Sequence, residues 1–223
     1  MNKFAFAVAI AAPVALASAQ TVFEQAPGDG AGGFAGTVSD EAGGFFDVRQ
    51  ADNFSLSEAT TITGAAWSGF EESFFSPDFP GNIAGFSVEF FTAAGGVPDS
   101  SVFQADFLLA DLSQTILSPG VPGLTLTVAE WEASFASFDL AAGDYFFAVN
   151  VISVNGTAND DSFVWNTSIA GDGAAATETG VGSGAWAANA NDQAFAIRGV
   201  PVPTPAVAGL FGAAGLLAAR RRR

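Results

Sequence analysis

The chain of 223 residues sets 23 Asp and Glu against seven Lys and Arg, a formal net charge of −16, and contains neither His nor Cys. The missing imidazole and thiol exclude Ser-His-Asp triads, cysteine nucleophiles and the usual zinc sites. With Lys3 as the sole lysine, the body of the chain has no Schiff-base or Ser-Lys chemistry either. So acidic a surface repels nucleic acid and anionic lipid, and nucleic acid is not expected as a partner.

At the N-terminus, Lys3 is followed by an apolar run over residues 4–16 and by Ala17-Ser18-Ala19 ahead of Gln20. A basic start, a short apolar stretch and a small-residue cleavage pattern read together as a secretory signal peptide over residues 1–19, cut between Ala19 and Gln20. Residues 20–199 then form one domain, long enough to bury a core unaided and without disulfide support. Its only bases are Arg49 and Arg198 against all 23 acids, which leaves a formal charge of −21. Such a surface suits a saline or divalent-rich medium, where screening relieves self-repulsion. It reads either as cation binding and salt adaptation or as plain solubility for an aromatic-rich exported chain.

Residues 20–44 are rich in Gly and Ala and read as an irregular opening with at most one strand. From Phe45 the apolar period is two. Strands are predicted over 51–57, over 60–70 with a kink at Gly64, and over 83–92, where Phe86, Val88 and Phe90 share a face. A loop with Pro77 and Pro80 spans 71–81, and 93–99 turns the chain. Further strands are expected over 102–110, through Leu124, Leu126 and Val128, and over 131–140. A tight turn at 141–144 leads into 145–154, with Tyr145, Phe147, Val149 and Val151 facing one way. Residues 155–161 form a polar loop, 162–168 a short strand, 171–184 a Gly/Ala/Thr-rich loop, and 193–199 the closing strand. No long helical period intervenes. About nine or ten antiparallel strands of this kind imply a β-sandwich or jelly roll whose layers are filled by alternating aromatics, phenylalanine being the commonest large apolar residue with 23 in the chain.

The C-terminus has a different character. Pro201, Pro203 and Pro205 make a stiff extended spacer. Residues 206–219 carry no charge and no proline, and their Ala and Leu favour helix. As a helix the run would be roughly 21 Å long, short of the ~30 Å hydrocarbon core, which points to transient membrane contact. Arg220, Arg221, Arg222 and Arg223 then end the chain in a basic cluster suited to a cytoplasmic membrane surface.

This layout over residues 200–223 resembles the PEP-CTERM sorting signal, with Pro203-Thr204-Pro205 in the Pro-x-Pro position and Thr204 where the signature has an acid. The resemblance implies a partner, the membrane transpeptidase-like enzyme exosortase, which removes such tails in bacteria that make extracellular polysaccharide. It also implies a destination at the cell surface, outer envelope or extracellular matrix. Within the domain, Ala51-Asp52-Asn53-Phe54, Trp67-Ser68-Gly69, the stretch from Phe86 to Pro98 and the final Asn191 to Gly199 resemble a secreted domain found in proteins with this kind of tail. That group has no assigned activity, and the resemblance implies a sandwich without adding chemistry.

Three kinds of site remain. Paired carboxylates could serve glycoside hydrolysis, and the available pairs are Glu71 with Glu72, Glu130 with Glu132 on one face of a strand around Trp131, and Asp160 with Asp161. The loop holding Asn155, Asn159, Asp160 and Asp161 is a candidate calcium site, ahead of residues 28–30 and 171–173, or else a solvated turn. Trp186, in a small-residue loop over 182–191, is a candidate platform for carbohydrate or else a packing residue, whereas Trp67 belongs to the core. Tyr145, in Leu140-x-x-Gly143-x-Tyr145, resembles a tyrosine corner. The reading that results is a secreted, non-enzymatic sandwich, structural or polysaccharide-associated. The alternatives are a carbohydrate-active enzyme using paired acids and a calcium-dependent adhesin.

Overall fold

The computed structural model describes residues 19–28, 36–39, 46–73, 83–118, 128–153 and 161–203, and these hold thirteen strands, the longer ones following the alternation of large apolar and polar residues. They are β1 (Gln20–Gln25), β2 (Gly36–Ser39), β3 (Val48–Leu56), β4 (Thr60–Ser73), β5 (Ile83–Ala94), β6 (Val97–Leu108), β7 (Ser113–Ser118), β8 (Val128–Leu140), β9 (Gly143–Ser153), β10 (Asp161–Asn166), β11 (Ala175–Thr179), β12 (Trp186–Asn189) and β13 (Phe195–Pro201). One 3-10 turn, Leu109–Asp111, separates β6 from β7. Among the described residues no helix is long and apolar enough to cross a membrane. The predicted signal segment up to residue 18, the strand signal at Leu124 and Leu126, and the tail from Thr204 lie outside the described residues.

All pairings are antiparallel, in two sheets. In the first, β4 is the spine. One of its edges is shared end to end by β13, against Thr60 to Trp67, and β10, against Gly69 to Ser73. β1 lies outside β13, β2 outside β10, and the opposite edge holds β8 and then β7. The second sheet runs β12-β11-β3-β9-β5-β6. Phe86 sits at the centre between the sheets, its ring 5.3 Å from Trp67, 5.0 Å from Trp131 and 5.0 Å from Phe163. Phe54, Phe90, Phe147, Trp165 and Phe195 extend the same core. Aromatic side chains from facing sheets thus fill a single layer, the arrangement of a β-sandwich.

The kink predicted at Gly64 is a bulge. Pairing of β4 with β8 and with β13 skips Thr63, and a Cβ on Gly64 would stand 2.6 Å from the Ala133 carbonyl oxygen. Tyr145 forms the predicted corner, its hydroxyl donating to the Ala141 carbonyl at 3.1 Å. That bond clamps the passage from β8 in one sheet to β9 in the other.

Three expectations need correction. Residues 20–44 hold two strands rather than at most one: β1 is placed by the closing strand β13, and β2 by β10. The expected loop 171–184 contains β11, an interior strand of the second sheet, and the small-residue stretch after it contains β12. These segments are short, and β2, β11 and β12 are built mostly of small residues, so they carry little apolar contrast. Their partners, not their own periodicity, make them strands. For the same reason the strand count exceeds nine or ten.

The edge strands of the second sheet, β6 and β12, stand at opposite ends of the strand order yet touch one another, so this sheet curls and its outer face is concave. A second apolar cluster lines that face: Ala51, Phe91, Phe146, Ala148 and Ala176, with Trp186 packed against it. β9 is therefore buried on both sides. Tyr145, Phe147, Val149 and Val151 face the main core as expected, while Phe146 and Ala148 face the concavity.

Candidate functional site

On the concave face, strand alternation places Arg49 of β3, Ser87 and Glu89 of β5, Asn150 of β9, Glu178 of β11 and Trp186 of β12 on one surface. Register aligns them: Glu178 lies opposite both Arg49 and Trp186 on the neighbouring strands. Arg49 is the hub. Its guanidinium contacts Glu178 through Nε at 3.0 Å and Nη2 at 2.8 Å, and Glu89 through Nη1. The Glu178 carboxylate is fully buried and the Arg49 side chain 8% exposed, so these charges persist only because each is paired. The planar guanidinium also lies 5.1 Å from the Trp186 ring centroid and 5.2 Å from that of Phe91, and the two rings meet edge to face at 5.5 Å.

Trp186 is thus held from below. The turn before it is equally fixed. Glu178 accepts the Gly184 N–H at 2.6 Å, Asp47 accepts the Val181 N–H at 3.0 Å, and Ser183 N–H donates to the Gly180 carbonyl at 2.8 Å. Gly180, Gly182 and Gly184 all have positive φ, which is why the turn is written in glycine. Between this turn and strands β5, β6 and β9 lies a groove of about 500 Å³, lined also by Asp99 and Gln104. Trp186 stays half-buried at its wall. One side of Trp186 packs on Arg49 and Phe91, in keeping with the packing reading, and the remainder faces the groove.

A second polar cluster lies on the core side of β3. Asp52 is fully buried and accepts the Asn53 N–H at 2.8 Å and the Gln193 N–H. With its amide turned to satisfy both neighbours, Gln25 donates to Asp52 Oδ2 and to the Gln193 carbonyl, each at 3.1 Å. Burial pushes the Asp52 carboxyl up to about 7. The two backbone N–H groups oppose the rise, and the nearby Asp192 and Asp172 add to it. Asp192 itself accepts the Gly173 and Ala174 N–H groups, and Asp172 accepts from Asn53 Nδ2 at 3.0 Å. The 171–173 loop is therefore tied down by Asp192 from outside and by its own Asp172. Among the described residues no group of three or more acids is arranged to hold a metal ion.

The other sequence candidates are dispersed. Glu130 and Glu132 flank the buried Trp131 on β8, and Glu132 is engaged by Arg198 Nε at 3.1 Å, so the expected pair shares its face with a cation. Asn155, Asn159 and Asp160 lie outside the described residues, and Asp161 begins β10 opposite Ser73. Ala17 is likewise outside. Ala19 immediately precedes β1, whose first residue, Gln20, pairs with Gly199 of the last strand. Pro203 lies just beyond β13, while Thr204, Pro205, Arg220, Arg221, Arg222 and Arg223 are outside.

Periodicity alone did not find Arg49, Glu89 or Glu178. Arg49 lies 40 residues from Glu89 and 129 from Glu178 in the chain. One signal was present: Arg49 is one of only two cations between residues 20 and 199. Both cations prove to be ion-paired, one on each sheet. No protein-family model, curated protein or solved structure matches the chain, and the groove is read from its own residues.

Proposed function

We propose that the chain is an exported, non-enzymatic protein of the cell surface or extracellular matrix, structural or polysaccharide-associated, delivered by a C-terminal segment that acts as a PEP-CTERM-like sorting signal. The observation that carries this reading is the terminal run itself: Pro203-Thr204-Pro205, an uncharged stretch over 206–219, and four closing arginines. In this reading residues 206–219 form a short helix at the membrane while an exosortase-type enzyme acts at the proline motif. The body of the chain fits the destination. It is acidic, built without disulfides, and offers a polar groove walled by a tryptophan.

Intact mass of the protein recovered from its native envelope and culture medium tests the proposal. The expected product starts at Gln20 and ends near Pro203 to Pro205, with any further mass marking an attachment. A product that still ends at Arg223 overturns the sorting role.

A further inference from the structure

Resting on the polysaccharide-associated reading, we propose that the groove on the curled sheet is a binding subsite for a neutral glycan chain, with Trp186 as its stacking surface and the amides of Gln104 and Asn150 as hydroxyl partners. Three independent features of the groove lead there. The indole is fixed before any ligand arrives. Arg49 covers one side and Phe91 meets its edge, so stacking a pyranose ring against the exposed remainder costs little side-chain entropy. The rim beside it is open, because Gly182 and Gly184 have nothing within 4 Å of the place a Cβ would occupy, and a chain can run past the ring on that side.

The polar lining suits hydroxyl groups. Gln104 and Asn150 present both a donor and an acceptor, and their internal bonds are long, 3.4 Å from Gln104 Nε2 to Ser87 Oγ and 3.5 Å from Asn150 Nδ2 to the Val151 carbonyl. Bonds of that length exchange readily for a sugar hydroxyl.

Charge selects the class of chain. The one cation of the groove, Arg49, is spent on Glu89 and Glu178 and nearly buried, and Asp99 adds a further carboxylate to the lining. Three acids around one committed guanidinium repel uronate and sulfated chains. A neutral hexose chain meets no such barrier. An apolar small molecule would leave the groove's amides and carboxylates unpaired, which disfavours it.

Affinity electrophoresis of the full-length protein through gels containing laminarin, dextran, galactomannan, alginate or dextran sulfate tests this. Retardation by at least one of the three neutral polymers is expected, little changed between about 0.05 M and 0.5 M NaCl, with none by the two anionic ones. Trp186→Ala should weaken it on the order of tenfold, the loss typical of truncating a central tryptophan. Gln104→Ala, at an exposed position that leaves the core intact, should weaken it several-fold at unchanged melting temperature. Retardation by alginate or dextran sulfate alone overturns the neutral-chain inference and leaves polysaccharide association standing. Retardation by a neutral polymer that survives both substitutions places binding elsewhere and overturns this site. No retardation by any of the five overturns both readings.

Discussion

A carboxylate sealed into an aromatic core is unusual, and Asp52 keeps its place because three donors converge on it: the Asn53 and Gln193 N–H groups and the Gln25 amide. Those bonds do not offset burial, and the group titrates near 7 instead of near 3.8. Between these values the folded chain holds a proton that the unfolded chain has released. The contribution of Asp52 to stability is therefore greatest below about pH 4, declines as pH rises toward 7, and levels off above it. Asp52→Asn removes this dependence. Urea unfolding of both proteins should show the variant gaining on the wild type between about pH 4 and pH 8, by up to about 4 kcal/mol. Parallel pH profiles would mean that Asp52 ionises normally in the fold. The Ala51-Asp52-Asn53 motif was visible in the sequence, but the burial of Asp52 was not. It depends on β1 and on the 191–193 segment, both far away in the chain.

At the scale of elements, close backbone approach decides which strands can lie together. Gly85 of β5 sits at a register shift against β9 and pairs with Leu108 of β6 on its other side, where a Cβ would fall 1.9 Å from the Phe107 carbonyl oxygen. Gly85→Ala must push β6 away from β5, with an expected loss of about 2–3 kcal/mol and faster amide exchange along both strands. Thermal melting at the wild-type temperature would contradict so close a contact. Strands such as β5 and β9 were legible because their large side chains alternate. Interior β11 was not, because Ala175 and Ala176 are both buried and alike in size, and a buried alanine strand lacks the contrast that periodicity needs.

For the whole molecule, charge is the dominant feature. A body carrying −21, with its two cations locked in ion pairs, is held against its own repulsion. Edge strand β6 turns this to use: exposed Asp99 and Asp106 stand beside exposed Val102 and Leu108, so a second copy approaching that edge meets like charge. Raising NaCl from about 0.01 M to 1 M shortens the screening length from roughly 30 Å to 3 Å. The melting temperature is expected to rise by roughly 5 °C as repulsion is relieved. A flat or falling curve would show that self-repulsion does not limit this fold.

What the sequence alone determined is local. The absence of His and Cys removes whole classes of chemistry, the period of two makes the domain all-β, the Leu140-to-Tyr145 spacing makes a corner, and the two terminal segments stand apart from the domain in composition. These are properties of neighbouring residues and survive without knowledge of the fold. The groove is of another kind. Arg49, Glu89 and Glu178 meet only because β3, β5 and β11 lie in one curled sheet, and Trp186 becomes a wall only because that curl brings β12 to β6. Which strands pair, and in what register, is set by aromatic packing between the sheets over the whole chain. No window of sequence contains that information, and tertiary structure alone decided it.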